Sequence, residues 1–342
     1  MKAIRFERHG GPEVLQYTEA PGPVILPHEV LVRVKACALN YLDIWVRRGL
    51  PGINIPLPHI PGSDIAGEIA QVGAIVTTVK VGQKAVLIPG VTCGKCAACL
   101  AGNDNGCRQY TNLGYLIDGG CAEFVRAPEV NCLPYPENLS FEEAAAVPLV
   151  FQTAWHMLVK RAQIQPGEDV LILGAGSGVG SAAIQIAKFF GARVISTAGS
   201  EQKLGKARQL GADFVINHKS QKIRDEVRRI TNKRGVDIVF EHVGTATWDE
   251  SLASLAPQGR LVTCGATTGY DAKIDLRFLF SRQLSLLGSY MGTKSELLTV
   301  MKLVAAGRLK PVVDRVFPLS EAAAAHRYLE AGSQFGKVVL SV

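Results

Sequence analysis

A glycine-rich segment near the middle of the chain restricts the fold more than any other feature. Residues 174–180 read GAGSGVG and follow the apolar run VLIL at 170–173. Apolar residues then recur at helical spacing, at Val179, Ala183, Ile186 and Phe190. A short buried strand, a tight turn and an amphipathic helix in this order are typical of the first unit of a parallel sheet with helices on both faces.

The same rhythm continues through the second half of the chain. Short apolar runs alternate there with helical patterns, which predicts an α/β fold with a doubly wound parallel sheet. The predicted strands cover residues 169–173, 193–197, 214–217, 236–240, 260–264 and 285–288. A helix is predicted over 294–306 and a short strand over 338–340.

The glycine segment has the properties that a pyrophosphate site requires. Residues without side chains let the backbone approach the phosphates, and the start of the helix offers unpaired N–H groups and the positive end of its dipole. The strict G-x-G-x-x-G spacing is absent, because Val179 or Ser181 stands where the third glycine belongs. The alternative is a glycine-rich turn that binds no ligand. The cofactor-binding residues predicted in this segment are Gly174, Gly176, Ser177, Gly178 and Val179.

The end of the second predicted strand indicates which nicotinamide cofactor is preferred. Dinucleotide-binding folds usually carry Asp or Glu there for the ribose 2′-hydroxyl. This chain instead has the small, neutral sequence STAGS at 196–200. Because no carboxylate at this tip would repel a 2′-phosphate, Ser200 and Lys203 are predicted to favour NADPH, with NAD the less favoured cofactor. Glu201 provides the alternative, since its carboxylate could take the acidic role.

Residues 1 to about 145 have a different pattern. Strands are predicted at 2–6, 30–35, 65–72 and 84–88, and Gly-Pro or Pro-Gly turns separate them. Many short strands with such turns predict a barrel or a sandwich. Ser140, with Glu143 three residues later, forms a predicted capping box before an alanine-rich helix.

Four cysteines lie within 15 residues in the spacing Cys-x2-Cys-x2-Cys-x7-Cys; they are Cys93, Cys96, Cys99 and Cys107. Four thiolates can close a tetrahedral shell around a structural zinc ion, and a closed shell leaves no position for a substrate. An iron–sulfur cluster is the first alternative, but the usual ferredoxin spacing ends x3-Cys-Pro, whereas Arg108 follows here. The second alternative to zinc is that the four cysteines are free thiols. The isolated cysteines are predicted to be small buried apolar side chains; they are Cys37, Cys121, Cys132 and Cys264.

Composition and charge exclude several classes of protein. Hydrophobic residues make up 47% of the chain and charged residues 20%, which is ordinary for a folded protein. The net charge of +7 suits an anionic ligand but is too small and scattered to argue for nucleic acid. No segment reaches about 18 consecutive apolar residues, and residues 1–10 carry charges where a signal peptide needs an apolar stretch. We therefore expect a cytoplasmic chain with no membrane or nucleic-acid partner.

Several motifs together resemble the medium-chain dehydrogenase/reductase superfamily, which contains the zinc-type alcohol dehydrogenases and the quinone oxidoreductases. Besides the cysteine and glycine segments, the motifs are GGPEVL at 10–15, ALNYLD at 38–43, PGSDIAG at 61–67, VG at 243–244, GR at 259–260 and FGKVV at 335–339. The resemblance implies a GroES-like β-barrel catalytic domain over 1–148 with 290–342, containing a cysteine lobe at about 90–112. It implies a Rossmann domain over 149–289 and a nicotinamide held in the cleft between the domains.

The chain departs from the zinc alcohol dehydrogenases at the positions of their catalytic metal. That metal uses a Cys, a His beside a Glu, and a later Cys or Asp. The matching positions here carry Asn40, Ser63 before Asp64, and residues around Phe151 and Gln152. Asn and Ser are poor zinc ligands. These departures resemble the quinone oxidoreductases, which lack catalytic zinc but mostly lack the four-cysteine lobe too. An unorthodox metal site formed by Asp43, His59 and Asp64 is the alternative.

The resemblance also implies roles for single residues. Asn40 and Asp43 would border the substrate pocket as catalytic residues, and Tyr41 is a candidate proton donor. The alternative for Asn40 is a turn residue that bonds the backbone. For Asp43 and Asp64 we favour structural pairing, the latter with Lys337. The residues implied at the cofactor are Thr153, facing the nicotinamide, and Val243, Gly244, Cys264 and Gly265, lining its groove. His156 and His242 are interpreted as structural histidines.

The predicted reaction follows from the absence of a catalytic zinc site. Without a Lewis acid, nothing polarises the oxygen of a simple ketone strongly. In a conjugated enone, enal or quinone the charge spreads onto oxygen, and hydrogen-bond donors suffice to stabilise it. We predict an NADPH-dependent oxidoreductase for such substrates, with one structural zinc per chain. The alternatives are an alcohol dehydrogenase with a reworked metal site, and a nucleic-acid-binding or scaffold protein. Residues 282–288 resemble a late strand that could pair across a two-fold axis, so a homodimer or homotetramer is expected.

Overall fold

The computed structural model describes all 342 residues, which divide into two compact units. The first unit comprises residues 1–150 and 293–342, and the second comprises residues 151–292. None of the helices combines the length and the apolar character that a membrane span requires.

Strands and helices are numbered separately along the chain. The strands are β1 (Lys2–Arg5), β2 (Gln16–Glu19), β3 (Glu29–Ala38), β4 (Asp64–Val72), β5 (Lys84–Leu87), β6 (Gly90–Val91), β7 (Thr111–Asn112), β8 (Phe124–Pro128), β9 (Cys132–Pro134), β10 (Asp169–Ile172), β11 (Arg193–Ala198), β12 (Phe214–Asn217), β13 (Val236–Glu241), β14 (Leu255–Thr263), β15 (Ser285–Gly288), β16 (Val313–Pro318) and β17 (Lys337–Ser341). The α-helices are α1 (Tyr41–Arg48), α2 (Ala97–Leu100), α3 (Phe141–Ala145), α4 (Pro148–Trp155), α5 (Gly178–Phe189), α6 (Glu201–Gln209), α7 (Ile223–Ile230), α8 (Trp248–Ser254), α9 (Leu276–Ser281), α10 (Lys294–Ala305) and α11 (Ala322–Glu330).

The first unit is built on a sheet with the strand order β16-β17-β3-β4-β5-β9, in which β8 also pairs with β3. β3 pairs antiparallel with β4, β8 and β17, and β16 pairs parallel with β17. Val30, Val32 and Val34 of β3 are buried while Arg33 is exposed, as the alternating pattern predicts. Because β17 lies beside β3, the last residues of the chain complete this sheet.

The second unit contains a parallel sheet with the strand order β12-β11-β10-β13-β14-β15. All four residues of β10 are buried, since helices cover both faces of such a sheet. The order reverses between β10 and β13, and this switch point is where doubly wound folds bind ligands. The predicted doubly wound sheet is confirmed.

Two strand boundaries differ from the prediction by three residues or more. β3 ends at Ala38 rather than at residue 35, and the other boundary is in β14. β14 begins at Leu255 rather than at residue 260, and its pairing with β13 shifts register between Val236 and Ile238. Pro257 and Gly259 within β14 are typical of a turn, and Gln258 between them has φ +64°. Leu255 pairs with Val236 ahead of this turn, and regular pairing with β13 resumes at Arg260, so the turn signal is met inside the strand.

Helix boundaries follow local capping. The predicted capping box is confirmed, because the Ser140 hydroxyl accepts the Glu143 amide at 3.2 Å and the Glu143 carboxylate accepts the Ser140 amide at 2.9 Å. α3 ends at Ala145, and Pro148 begins α4 as a separate helix. In α7, Ile223 and Val227 are buried, whereas Arg228 and Arg229 are exposed.

Candidate functional site

The glycine segment joins β10 to α5 at the carboxyl edge of the parallel sheet. Ser177 is the N-cap of α5, and its hydroxyl accepts the Gly180 amide at 2.9 Å. Gly174 has φ +61°, a conformation that residues with side chains rarely adopt. A Cβ on Gly180 would lie 2.3 Å from the carbonyl oxygen of Gly174. Gly180 therefore provides the close approach of the third glycine, one position later than the strict spacing.

The beginning of α5 has the properties of an anion site. Gly176 lies in the turn, and Gly178 and Val179 are the first two residues of the helix. Amides at this position have no partner within a helix and point toward a bound phosphate. His242 stabilises the start of the turn, because its Nε2 donates to the Leu173 carbonyl at 2.9 Å. Burial lowers the pKa of His242, which makes it a neutral, structural histidine.

Cationic side chains gather at the tip of β11. Ser200 is the N-cap of α6, and its hydroxyl accepts the Lys203 amide at 3.4 Å. A Cβ on Gly199 would lie 3.0 Å from His218 Nε2 and 3.0 Å from Lys219 Cε. Partial burial lowers the pKa of His218, and the charges of Lys219 and Lys203 lower it further. Two lysines and an imidazole therefore surround this end of the sheet.

Sequence reasoning missed His218 and Lys219. Both follow β12 directly, and the carboxyl ends of parallel neighbours β11 and β12 meet at one edge of the sheet. The position of His218 and Lys219 directly after the third strand of the parallel sheet was therefore the sequence signal that could have identified them. Glu201, the predicted alternative for ribose binding, is exposed and accepts a hydrogen bond from Asn217 Nδ2 at 3.2 Å.

The turns after β13 and β14 are bonded to each other beside the switch point. The Thr268 amide donates to the Val243 carbonyl at 2.8 Å. Gly244 has φ +96°, and a Cβ there would lie 2.4 Å from the Gly269 carbonyl oxygen. A Cβ on Gly265 would lie 3.0 Å from the carbonyl oxygen of His242. The predicted groove residues Val243, Gly244 and Gly265 thus occupy adjacent, closely packed turns.

Two further residues of the second unit have unusual polar groups. Cys264 follows β14, and burial together with the nearby Glu241 raises the pKa of its thiol to about 12, so it stays neutral. Thr153 in α4 is 6% exposed, and its hydroxyl has no hydrogen-bond partner in the chain. An unbonded buried hydroxyl costs free energy that a hydrogen-bonding ligand would remove. This fits the predicted position of Thr153 at the nicotinamide.

In the first unit, Asn40, Asp64 and Lys337 form a buried polar cluster. Lys337 Nζ donates to Asn40 Oδ1 at 2.6 Å and to Asp64 Oδ2 at 2.8 Å. Asn40 Nδ2 donates to the same Asp64 oxygen at 2.9 Å, and Asp64 Oδ1 accepts the Leu149 amide at 2.8 Å. The predicted pairing of Asp64 with Lys337 is confirmed. Asn40 uses both polar atoms of its side chain within the cluster, and its Nδ2 also donates to the Ala38 carbonyl at 3.5 Å. The alternative of a residue that bonds the backbone is therefore met in part.

Asp43 lies fully buried at the start of α1. Its Oδ2 accepts the Asn40 amide at 2.7 Å, and its Oδ1 accepts the Gly62 amide at 2.9 Å. Burial raises the pKa of Asp43 to about 6, and the two backbone amides oppose this shift. The carboxylate ties α1 to the turn before β4, which is the structural role that the sequence favoured over a catalytic one.

Two hydroxyls adjacent in sequence to the buried cluster make no hydrogen bond within the chain. Tyr41 is the first residue of α1 and is partly buried. Ser63 is fully buried, and its hydroxyl oxygen has no partner. Tyr41 is therefore the one candidate catalytic residue whose polar group is not already committed to another group of the chain.

His59 does not converge with the two buried aspartates. Its Nε2 lies 3.2 Å from the Gly114 carbonyl oxygen, and its Nδ1 lies 3.7 Å from the exposed Asp118. Among the Cys, His, Asp and Glu side chains, the ligand atoms that come together are the sulfurs of the four lobe cysteines. The alternative metal site at Asp43, His59 and Asp64 therefore lacks the required geometry.

The four lobe cysteines converge, with all four sulfurs within 4.8 Å of one another. The Sγ–Sγ distances are 3.5 Å for Cys93–Cys107, 3.6 Å for Cys96–Cys99 and 4.0 Å for Cys93–Cys99. A tetrahedral zinc ion with Zn–S bonds of about 2.3 Å requires sulfurs about 3.8 Å apart. The observed spacings bracket that value, so the four residues fit a zinc ion.

Backbone amides prepare the lobe for negative charge. The amides of Cys93 and Gln109 point at the Cys107 sulfur at 3.5 and 3.4 Å. Hydrogen bonds from backbone amides lower the pKa of Cys93 to about 6 and also lower that of Cys96, whereas burial raises the pKa of Cys99 to about 11. Such bonds stabilise thiolates, which are the form that binds metal.

Lys294 links the lobe to the start of α10. Its amide donates to Asp104 Oδ1 at 3.1 Å, and its Nζ donates to Asn131 Oδ1 at 3.1 Å. Burial lowers the pKa of Lys294, while the negative charges of Asp104, Cys99 and Cys107 oppose that shift. A cation thus faces the cysteines, which carry excess negative charge when they bind zinc as four thiolates.

Comparison with known proteins agrees with this architecture. Residues 26–137 match the alcohol dehydrogenase GroES-like domain, and residues 178–306 match the zinc-binding dehydrogenase family. The quinone oxidoreductase of Homo sapiens is 31% identical over 348 residues, which cover 99% of this chain and 97% of that protein. An alcohol dehydrogenase of Geobacillus stearothermophilus is 35% identical over 346 residues and is matched along the full length of both chains.

Among solved structures, one described as an NAD-dependent alcohol dehydrogenase is 49% identical, with a TM-score of 0.97 and full coverage of both chains. The predicted α/β architecture, a GroES-like domain with a Rossmann domain, is therefore confirmed. Together with the dinucleotide-binding geometry of the second unit, these matches assign an NAD(P)H-dependent oxidoreductase. The chain belongs to the medium-chain dehydrogenase/reductase superfamily.

Proposed function

We propose that this enzyme uses NADPH to reduce an activated C=C bond, an enone, an enal or a quinone, without a catalytic zinc ion. The observation that carries this proposal is the buried cluster of Asn40, Asp64 and Lys337. Asn40 matches one metal ligand of the zinc alcohol dehydrogenases, and Ser63 matches another. Asn40 and Asp64, which follows Ser63, are already bonded to the Lys337 ammonium. That ammonium repels a second cation, and Asn is a poor zinc ligand.

A conjugated acceptor places few demands on the protein. The cofactor, when bound, supplies the hydride, and negative charge develops on the substrate oxygen. Hydrogen-bond donors then stabilise that charge. The free hydroxyl of Tyr41 is the proposed hydrogen-bond donor and proton source. Asn40 and Asp43 would position Tyr41, because the Asp43 carboxylate accepts the Asn40 amide and the Asn40 side chain donates to Asp64.

The cofactor residues are proposed from the geometry of the second unit. The amides from Gly174 to Val179 would hold the pyrophosphate, and Thr153 would bond the nicotinamide amide group through its unpartnered hydroxyl. Ser200 and Lys203 would contact a 2′-phosphate, and His218 and Lys219, which lie beside Gly199, would join them. A cluster of cations suits a phosphate better than a neutral ribose hydroxyl.

Cofactor choice can be tested with a pair of exposed lysines. We expect Lys219→Ala to raise the Michaelis constant for NADPH about fivefold, because an exposed ion pair contributes up to roughly 1 kcal/mol. The constant for NADH should stay unchanged. Lys222→Ala removes an exposed lysine three residues away and should alter neither constant. A clear NADH preference in the unmodified enzyme would refute the NADPH assignment.

An alcohol dehydrogenase is the second candidate, because a solved structure 49% identical to this chain is described as an NAD-dependent alcohol dehydrogenase. The two candidates differ in metal content. Our proposal requires one zinc ion per chain, held by the four lobe cysteines, whereas a reworked catalytic metal site requires two. Elemental analysis of the purified enzyme distinguishes them.

The deciding experiment is a cofactor-oxidation screen over alcohols, ketones, enones and quinones, with and without a chelator. We expect turnover of enones or quinones that a brief chelator treatment does not change. Turnover confined to simple ketones and alcohols, lost on chelation and restored by zinc, would establish the second candidate instead.

We also propose a homodimer or homotetramer. β15 forms one edge of the parallel sheet, so one side of its backbone has no neighbouring strand within the chain. Leu276 and Phe280 of the adjacent α9 are 65% and 70% exposed. Large exposed apolar side chains beside an open sheet edge favour association. Light scattering measures the mass directly, and a monomer would contradict this expectation.

A further inference from the structure

A buried carboxylate stands beside the turn proposed to receive the nicotinamide half of the cofactor. Glu241 is the last residue of β13 and has no exposed surface. Its Oε1 accepts the amides of Val243 at 2.5 Å and Gly244 at 3.0 Å. Its Oε2 accepts the hydroxyls of Thr247 at 2.9 Å and Ser251 at 2.6 Å. Four donors therefore converge on one side chain.

None of these four donors carries a charge. Two other fully buried carboxylates lie in the first unit: Asp64 is paired with the Lys337 ammonium, and Asp43 accepts two backbone amides. No ion pair reaches Glu241. The two amides can only donate and the two hydroxyls can also donate, so all four contacts suit an ionised carboxylate. Neutral hydrogen bonds stabilise the charge without cancelling it, so its field extends into the surrounding low-dielectric interior.

The sheet topology brings this field to the ligand edge. β13 lies directly beside β10, across the switch point, and Glu241 stands at its carboxyl end. In a doubly wound fold the two halves of the sheet each take one mononucleotide. The half with β10, β11 and β12 carries the glycine segment and the proposed 2′-phosphate cluster, which leaves the half with β13, β14 and β15 to the nicotinamide.

We propose that Glu241 is a positioning residue with an electrostatic effect on the cofactor. It holds the Val243–Gly244 turn in place through two amides, and its charge favours the oxidised nicotinamide, which is positively charged, over the neutral reduced form. Preferential stabilisation of the oxidised form makes bound NADPH a stronger hydride donor. This inference rests on the proposed function, because it requires a nicotinamide cofactor at this edge.

The test compares the affinities of the two cofactor forms for the Glu241→Gln variant. Glutamine keeps the shape, and the Thr247 and Ser251 hydroxyls can rotate to accept from its amide group. NADPH binding is measured by fluorescence and NADP+ binding by calorimetry. We expect the dissociation constant of NADP+ to rise about fivefold more than that of NADPH, as removal of one buried charge near a cation predicts. Asp249→Asn, which neutralises an exposed carboxylate of α8, should leave the ratio unchanged.

A second variant separates charge from structure. Ser251→Ala removes one donor but keeps the carboxylate, so the ratio of NADP+ to NADPH affinity should stay at or above that of the unmodified enzyme. Equal losses of both affinities in Glu241→Gln, or a fall of the ratio in Ser251→Ala, would overturn the electrostatic role. Failure of the unmodified enzyme to bind either cofactor would instead refute the proposed function.

Discussion

His326 is sealed inside the first unit against a buried arginine. Arg47 Nη1 lies 3.1 Å from His326 Nδ1, and Arg47 Nη2 donates to Glu330 Oε1 at 2.6 Å. Neither Arg47 nor His326 has any exposed surface. Because the arginine can only donate, His326 must offer a lone pair at Nδ1 and therefore be neutral. The contact joins α1 to α11.

Acid must break this contact, and the magnitude follows from the pKa. Burial, with a smaller effect of the Arg47 charge, lowers the pKa of His326 from 6.5 to about 3. In the unfolded chain the imidazole takes up a proton below its ordinary pKa, whereas in the folded chain it does not until about pH 3. Stability is therefore complete above the unfolded value and falls as pH decreases through this window. Between pH 7 and pH 5 the loss from this one group is about 2 kcal/mol.

Urea unfolding of the unmodified protein and of His326→Gln, followed by circular dichroism at both pH values, measures this loss. Glutamine can accept from Arg47 but cannot be protonated, so the stability difference between the two proteins should shift by about 2 kcal/mol in favour of the variant at pH 5. All other titrating groups are common to both proteins and cancel. His28→Gln, at an exposed position, is the matched control. A stability difference that is the same at pH 7 and pH 5 would show that His326 is not held neutral.

Three further predictions follow from single contacts. Gly180→Ala places a Cβ 2.3 Å from a backbone carbonyl oxygen of the glycine segment and should therefore weaken NADPH binding at least about tenfold. Fluorescence titration measures this affinity. Gly205→Ala, whose Cβ would meet nothing within 4 Å, should leave it unchanged. Lys337→Met leaves Asp64 buried without its cation and should cost about 3–5 kcal/mol of unfolding free energy; a loss below about 1 kcal/mol would contradict this. Lys294→Gln removes a cation facing the cysteine lobe and should release zinc several-fold faster to a chromogenic chelator, while an unchanged release rate would exclude charge compensation by this lysine.

Features encoded by neighbouring residues could be predicted from the sequence. The turn at residues 174–180, the capping box at Ser140 and the convergence of the four lobe cysteines all depend on short spacings. Hydrophobic periodicity predicted the parallel sheet for the same reason, because burial of one strand or one helix face is a local pattern. The pairing of Asp64 with Lys337 was also predicted, although these residues lie 273 positions apart in the chain.

Contacts between distant segments decided the rest. Sequence analysis did not find Glu241, His218 or Lys219 as site residues, because their significance depends on which strand ends lie side by side. The start of β14 differs from the prediction for a related reason, since Leu255 pairs with Val236 ahead of the turn at 257–259. The neutral state of His326 likewise requires Arg47, 279 positions away in the chain. Local spacing thus determined the helices, the strands and the metal ligands. Strand order and burial determined which polar groups are charged, unbonded or paired. The reason is that desolvation and long-range contacts arise only when the chain is folded.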